Sequence, residues 1–196
     1  MNIRPVTLEG RHVLLQPLSL DHLRHLCEIG LDDQIWKLSL TPVRTPGEMG
    51  TYIETALQWQ ADGTALPFAI IERTSEMAIG STRYANIDTA NRRLEIGWTW
   101  IGRKWQRTAV NTEAKYLLLR HAFETLGCIR VEFKTDELNQ QSRAAIIRIG
   151  ATEEGVFRNH GIAPGGRIRN SVYYSIIDPE WPRVKMSLEE RLARDQ

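Results

Sequence analysis

The stretch Arg92 to Glu113, RRLEIGWTWIGRKWQRTAVNTE, sets a strand, a short polar loop and the start of a helix in direct succession. The first amides of that helix, from about Thr108 to Thr112, have no intrahelical partners. Aligned peptide dipoles leave partial positive charge at the same end. A diphosphate placed there would meet amide donors and a favourable field. Lys104 and Arg107 stand beside it and would add charge-assisted contacts. Every strand–loop–helix unit has such an end, and most hold only water or a capping side chain. The residues alone therefore leave phosphate binding and plain capping both open. His22 and His25, three apart with Cys27 nearby, make an incomplete metal set, and a surface or capping role is the reading for them. No metal is expected.

The flanking sequence supplies elements to hold this segment. Arg11 to Leu18 follows Gly10 and reads as a first strand. Ser19 and Asp21 are N-cap candidates for a helix that Gly30 ends, and Thr45-Pro46 opens a second helix that Asp62-Gly63 stops. PFAIIE, AIGSTRYANID and RRLEIGWTWI are three strands, and their TSEM and DTAN separators suit hairpins. Val110 to Leu126 is a helix with a wide apolar arc, ended by Gly127. CIRVEFKTD is a strand, NQQSRAAIIRIG a short helix, SVYYSII a last strand and EWPRVKMSLEERLARDQ a polar helix. The segment Arg158 to Gly166 is punctuated by Gly and Pro and reads as a hairpin loop. The class is α+β, with antiparallel pairs and one right-handed strand–helix–strand crossover.

Composition excludes several classes. The 25 Lys and Arg residues balance 24 Asp and Glu, for a net charge of +1. That balance exerts no bulk pull on nucleic acid or on a membrane surface. Two cysteines, Cys27 and Cys128, form no Cys-x-x-Cys pair. There is no apolar run long enough for a span and no signal-like start, so the cytoplasm is the expected compartment.

The order of elements and the Arg92–Glu113 segment resemble the GNAT superfamily of N-acetyltransferases. Lys104-Trp105-Gln106-Arg107-Thr108-Ala109 is similar to its acetyl-CoA signature, Gln/Arg-x-x-Gly-x-Gly/Ala, with Lys104 and Arg107 as departures and Ala109 in place. Leu94-Glu95-Ile96-Gly97-Trp98, Asn111-Thr112-Glu113-Ala114-Lys115, Asn139-Gln140-Gln141-Ser142 and Ile149-Gly150-Ala151 resemble the branch that acetylates the N-termini of ribosomal proteins. The resemblance runs from Leu8 to about Pro182. It implies a mixed, mostly antiparallel twisted sheet with splayed central strands and helices on both faces. It also implies one acetyltransferase domain over residues 1–180, followed by a helical tail over 181–196.

The resemblance further implies acetyl-CoA as co-substrate and direct attack of an amine on its thioester. The backbone of Trp100 and Ile101 would pair with the pantetheine arm. Amides from Arg107 through Thr108, Ala109 and Val110 to Asn111 would hold the pyrophosphate, with Lys104 beside them. Asn139 would bond the arm from the next helix. Glu95 is the candidate general base, against a structural acid paired with Arg92 or Arg93. Many family members carry a Tyr where this chain has Ile146, so Ser142 is the candidate donor to the thiolate, against a role in satisfying helix-start amides. Tyr84, Tyr173 and Tyr174 are further candidates, against packing. Trp98, Trp100 and Trp105 would gather at the wedge, and Trp36 and Trp59 would line the acceptor cleft. The acceptor is expected to be a protein N-terminus, as for ribosomal proteins. Small amines, amino acids and antibiotics stay open, as does an acyl-CoA sensor without turnover. A homodimer is compatible with this reading.

Overall fold

The computed structural model describes residues 1–194; Asp195 and Gln196, the end of the expected tail, lie outside the described residues. The strands are β1 Leu8–Glu9, β2 Val13–Pro17, β3 Leu66–Glu72, β4 Ala78–Asp88, β5 Arg93–Ile101, β6 Arg130–Asp136, β7 Thr152–Ile162 and β8 Ile168–Ile177. The helices are α1 Leu23–Gly30, α2 Asp33–Trp36, α3 Pro46–Ala61, α4 Ala109–Arg120, α5 Gln140–Arg148 and α6 Trp181–Arg194. All strands lie in one sheet in the order β1-β2-β3-β4-β5-β6-β8-β7. Neighbours are antiparallel except β5 and β6, which α4 joins as a parallel pair.

Local chemistry accounts for the element ends that matter to the site. Thr45 and Glu48 form a reciprocal capping box at the start of α3, with Pro46 at the first helical position. Thr108 caps α4 by accepting from the Val110 amide. Past Arg120 the helix widens into a π turn over His121–Thr125, and Gly127 at φ 68° turns the chain into β6.

The sheet is covered on both faces. Leu94, Ile96, Val131, Phe133 and Tyr84 meet Val110, Ala114, Leu117 and Leu118 of α4 on one side. Met49, Tyr52, Ile53 and Ala56 of α3 meet Ala69, Ile71 and Trp100 on the other. Burying each large aliphatic side chain contributes roughly 1.5–3 kcal/mol, so β3 to β6 are fixed from above and below.

Two expectations need correction. The polar helix at the chain's end is not polar all round. α6 sets Trp181, Val184 and Leu188 into the α4-side core, and only its other face carries the mixed charge. Arg158 to Ile162 is not loop but the end of β7, a strand absent from the sequence reading. β7 is an exposed edge with little apolar alternation, so only its pairing to β8 defines it. The short α2 was also not foreseen. No helix among the described residues is long and apolar enough to cross a membrane.

Candidate active site

β5 and β6 pair only through Arg93–Arg130, Leu94–Val131 and Glu95–Glu132. Beyond Glu95 both strands continue without pairing to each other, so the sheet opens as a V with Glu95 at its apex. A bulge turns β5 away from β6. Between the Arg83–Gly97 and Ser81–Trp100 registers, β5 holds two residues against one on β4. Trp98 takes φ 48° at this bulge. Gly80 supports the distortion from β4, since a Cβ there would lie 2.2 Å from the Trp100 carbonyl oxygen.

The far end of the V is built mainly from main chain. Arg107, in the glycine position of the signature, keeps a left-handed φ of 62°. A non-glycine residue pays about 1–2 kcal/mol for that conformation, so the turn survives the loss of glycine. Thr108 Oγ1 accepts from the Val110 amide at 3.3 Å and donates to the Trp105 carbonyl at 2.7 Å. Among the described residues no chain acceptor meets the amides of Arg107, Ala109 or Asn111. Lys104 and Arg107 are exposed beside them, and the Lys104 ammonium lies over the Trp105 ring.

α5 faces this end. Asn139 caps α5 by accepting from the Ser142 amide at 3.0 Å, which leaves its Nδ2 as a spare donor. The capping alternative for Ser142 is therefore corrected: Asn139 does that work, and the Ser142 hydroxyl makes no hydrogen bond among the described residues. Gln141 donates to Gln106 Oε1 at 3.0 Å, and Gln106 Nε2 donates to the Ile101 carbonyl at 3.0 Å. This amide chain links α5, the loop before α4 and the end of β5. It also alters the strand-pairing expectation. The Ile101 carbonyl already has a partner, and the Trp100 carbonyl faces Gly80 on β4 instead of the open edge.

The apex is built from side chains. Glu95 is buried; its Oε2 accepts from Asn86 Nδ2 at 2.8 Å and meets Lys134 Nζ at 3.3 Å. The expected alternative pairing with Arg92 or Arg93 is not found: Arg93 pairs with Asp88 and Glu132. Glu95 Oε1 makes no hydrogen bond among the described residues and lies beside Gly97. Of Trp98, Trp100 and Trp105, only Trp98 reaches the apex, its ring centroid 5.9 Å from Lys134 Nζ. Trp98 stacks edge-on with Trp59, Trp100 packs on Trp36 and Gly30, and Trp105 donates to Glu72 at 2.6 Å. Trp36 does line a pocket of about 380 Å³ between Asp33–Arg44 and Ala163–Arg167.

Of the candidate tyrosines, Tyr84 lies wholly in the α4-side core. It donates to the Leu118 carbonyl at 2.6 Å, and burial raises its pKa well above the usual value. Tyr174 accepts from Arg143 Nε at 3.0 Å. Tyr173 is half-buried beside Lys134.

Sequence reasoning missed Lys115. Its ammonium comes off α4 onto the underside of the bulge and donates to Thr99 Oγ1 at 2.5 Å and more weakly to Thr82 Oγ1 at 3.5 Å. It forms no ion pair among the described residues, and burial brings its pKa down to about 7. Glu113, in the same motif, anchors the amides of Arg11, His12 and Val13 and holds the β1–β2 turn against α4. His22 accepts from the Ser19 amide at the start of α1. No group of three metal-ligating side chains occurs among the described residues.

Comparison with known proteins follows the same lines. Residues 12–152 match the model of an acetyltransferase (GNAT) domain. A Bacillus subtilis protein, YdaF, whose name describes it provisionally as a ribosomal N-acetyltransferase, is 34% identical over 184 residues, covering 90% of this chain and 97% of its own. A GCN5-related N-acetyltransferase from Brucella melitensis superposes with a TM-score of 0.90 at 31% identity, covering 97% of this chain and 86% of its own. RimJ of Mycobacterium smegmatis, in complex with CoA-disulfide, is alike in fold, with a TM-score of 0.81 at 21% identity over 95% of each chain.

Proposed function

Because the chain belongs to the GNAT acetyltransferase family, we propose that it moves the acetyl group of acetyl-CoA to a primary amine, foremost the α-amine of a protein N-terminus. The observation that carries this reading is the V between β5 and β6, with unpartnered amides at one end and a buried carboxylate at its apex. The name of the Bacillus subtilis relative supports a ribosomal-protein acceptor. A pocket bordered by two loops supports an acceptor that enters end-on.

In this reading the amides of Arg107, Ala109 and Asn111 take the pyrophosphate, with Lys104 and Arg107 supplying charge. Asn139 Nδ2 donates to the pantetheine arm. The neutral amine attacks the thioester carbon, forming the C–N bond, and collapse of the adduct breaks the C–S bond. The amine's surplus proton passes to Glu95 Oε1, directly or through water, while Lys134 and Asn86 hold Oε2. Ser142, whose hydroxyl is uncommitted, relays a proton from water to the leaving thiolate, taking the water's proton as it gives up its own.

The test is thiol release from acetyl-CoA with N-terminal peptides and with small amines, and the product's mass as a check. A peptide gaining one acetyl group at its α-amine is the expected result. Acetyl-CoA binding with no thiol release for any acceptor would remove the proposal.

A further inference from the structure

Resting on that acetyl-transfer reading, we propose that Arg83 receives a carboxylate of the acyl acceptor, so that the amine acetylated belongs to an acidic molecule. Arg83 sits in the middle of β4 and is 1% exposed. Its Nε and Nη2 are sealed from solvent with no hydrogen-bond partner, and no carboxylate of the described residues forms an ion pair with it. A buried guanidinium without an anion is strongly disfavoured, because the charge loses its water and gains nothing ionic in return. Three rings partly compensate: Tyr52, Trp59 and Trp98 have their centroids 4.9, 5.3 and 5.5 Å from the guanidinium carbon. Trp59 and Trp98 stand at 78° to each other, so the three rings do not all lie flat on the guanidinium's two faces, and a ring accepts an N–H far more weakly than a carboxylate oxygen does. The cage thus holds the fork rigid while leaving its donors unspent, which is the preparation a carboxylate receptor needs.

The location selects the acceptor over the donor. Arg83 pairs with Gly97 and Ala85 with Glu95, so Arg83 and Glu95 share one face of the sheet, two positions apart. That face is the one α3 covers; the unpartnered amides belong to α4 on the other. The other cations on this side are paired: Lys134 meets Glu95, Arg93 and Arg130 meet Glu132, and Arg167 and Arg169 lie against Asp136, the latter at 3.7 Å. Arg83 has no such carboxylate among the described residues. Trp36 packs against Tyr52 of the cage and also lines the pocket, so the cage lies one side chain away from it.

The carboxylate could stand on a side chain near a peptide's N-terminus or be that of a free amino acid, and matched acceptors separate the two. The peptides Ser-Glu-Ala-Ala and Ser-Gln-Ala-Ala, both amidated, form one pair; alanine and alaninamide form the other. The proposal expects the acidic member of one pair to lead in kcat/KM by about 10- to 100-fold. Arg83→Met should erase that preference and leave the KM for acetyl-CoA unchanged. Arg83→Lys, which keeps the charge without the fork, should erase most of it and guards against a misfolded Met variant. Calorimetric titration of the same pairs into CoA-saturated protein reads the preference without turnover, so failed acetyl transfer is distinguishable from failed carboxylate recognition. Equal reactivity and equal binding of acid and amide in both pairs would overturn the proposal. So would an Arg83→Met variant that weakens all four acceptors alike.

Discussion

The two ends of the V are made of different materials. At the α4 end the groups aimed into the opening are peptide amides, which any residue supplies. At the apex they are the side chains of Glu95 and Lys134, which only those residue types supply. A main-chain site tolerates substitution as long as the backbone path survives, as Arg107 shows by holding a glycine-like φ of 62°. A side-chain site has no such tolerance, because each buried charge depends on its partners. Variants should therefore act weakly at the α4 end and strongly at the apex.

The largest effect is expected from Glu95→Gln. Turnover should fall about 10²- to 10³-fold while acetyl-CoA affinity holds, since the amide keeps the shape but takes no proton. The loss should deepen at low pH, where more of the amine arrives protonated. Steady-state rates across pH check this, and unaltered activity at every pH would remove Glu95 from the chemistry.

Lys115 lies beneath the bulge that joins the two ends, so it sharpens the contrast through stability. Burial lowers its pKa to about 7. Between that value and its ordinary one near 10.5, the unfolded chain holds a proton that the folded chain has released, so stability rises with pH across the window. Below it both states hold the proton and the full cost of burying the ammonium stands. Lys115→Met should therefore stabilise the protein by a few kcal/mol under mildly acidic conditions, with the gain vanishing towards about pH 10. Urea midpoints at acidic and alkaline pH measure it; a gain independent of pH would mean that Lys115 is not the titrating group.

Asn139 contributes both a cap and a spare donor, and two substitutions separate them. Asn139→Asp retains an acceptor for the Ser142 amide, so stability should hold while acetyl-CoA binds about 10-fold more weakly. Asn139→Ala should weaken binding as much and also cost about 1 kcal/mol of stability. Calorimetry and thermal melts read the two effects. Unchanged affinity in both would place the pantetheine elsewhere.

The smallest effect belongs to Arg107→Gly. Relief of the left-handed strain should raise stability by about 1 kcal/mol. Loss of the guanidinium should weaken acetyl-CoA binding only a few-fold and more at low salt. A loss comparable to that of Glu95→Gln would break the division between main-chain and side-chain ends.

Legibility in the sequence followed the same division. The helix start at Ala109, the hairpins from Leu66 to Ile101 and the crossover to Arg130 were readable, because caps, turn residues and apolar spacing are local signals. The positions of Asn139 and Glu95 were readable from their motifs; that Asn139 and not Ser142 caps α5 was not. The partners of Glu95 were not, since Lys134 comes from a strand 39 positions further on and Asn86 from across a bulge. Arg83 was invisible as a buried charge: an arginine within a strand reads as the solvent side, and only the helices on both faces bury it. β7 escaped for the opposite reason, being an edge strand whose pattern carries no apolar period.

The most direct measurement is amide hydrogen exchange with and without acetyl-CoA. The account predicts new protection at Arg107, Ala109 and Asn111 and along the open edge of β5, with no comparable change in β1–β3. Protection that leaves the start of α4 untouched would contradict it.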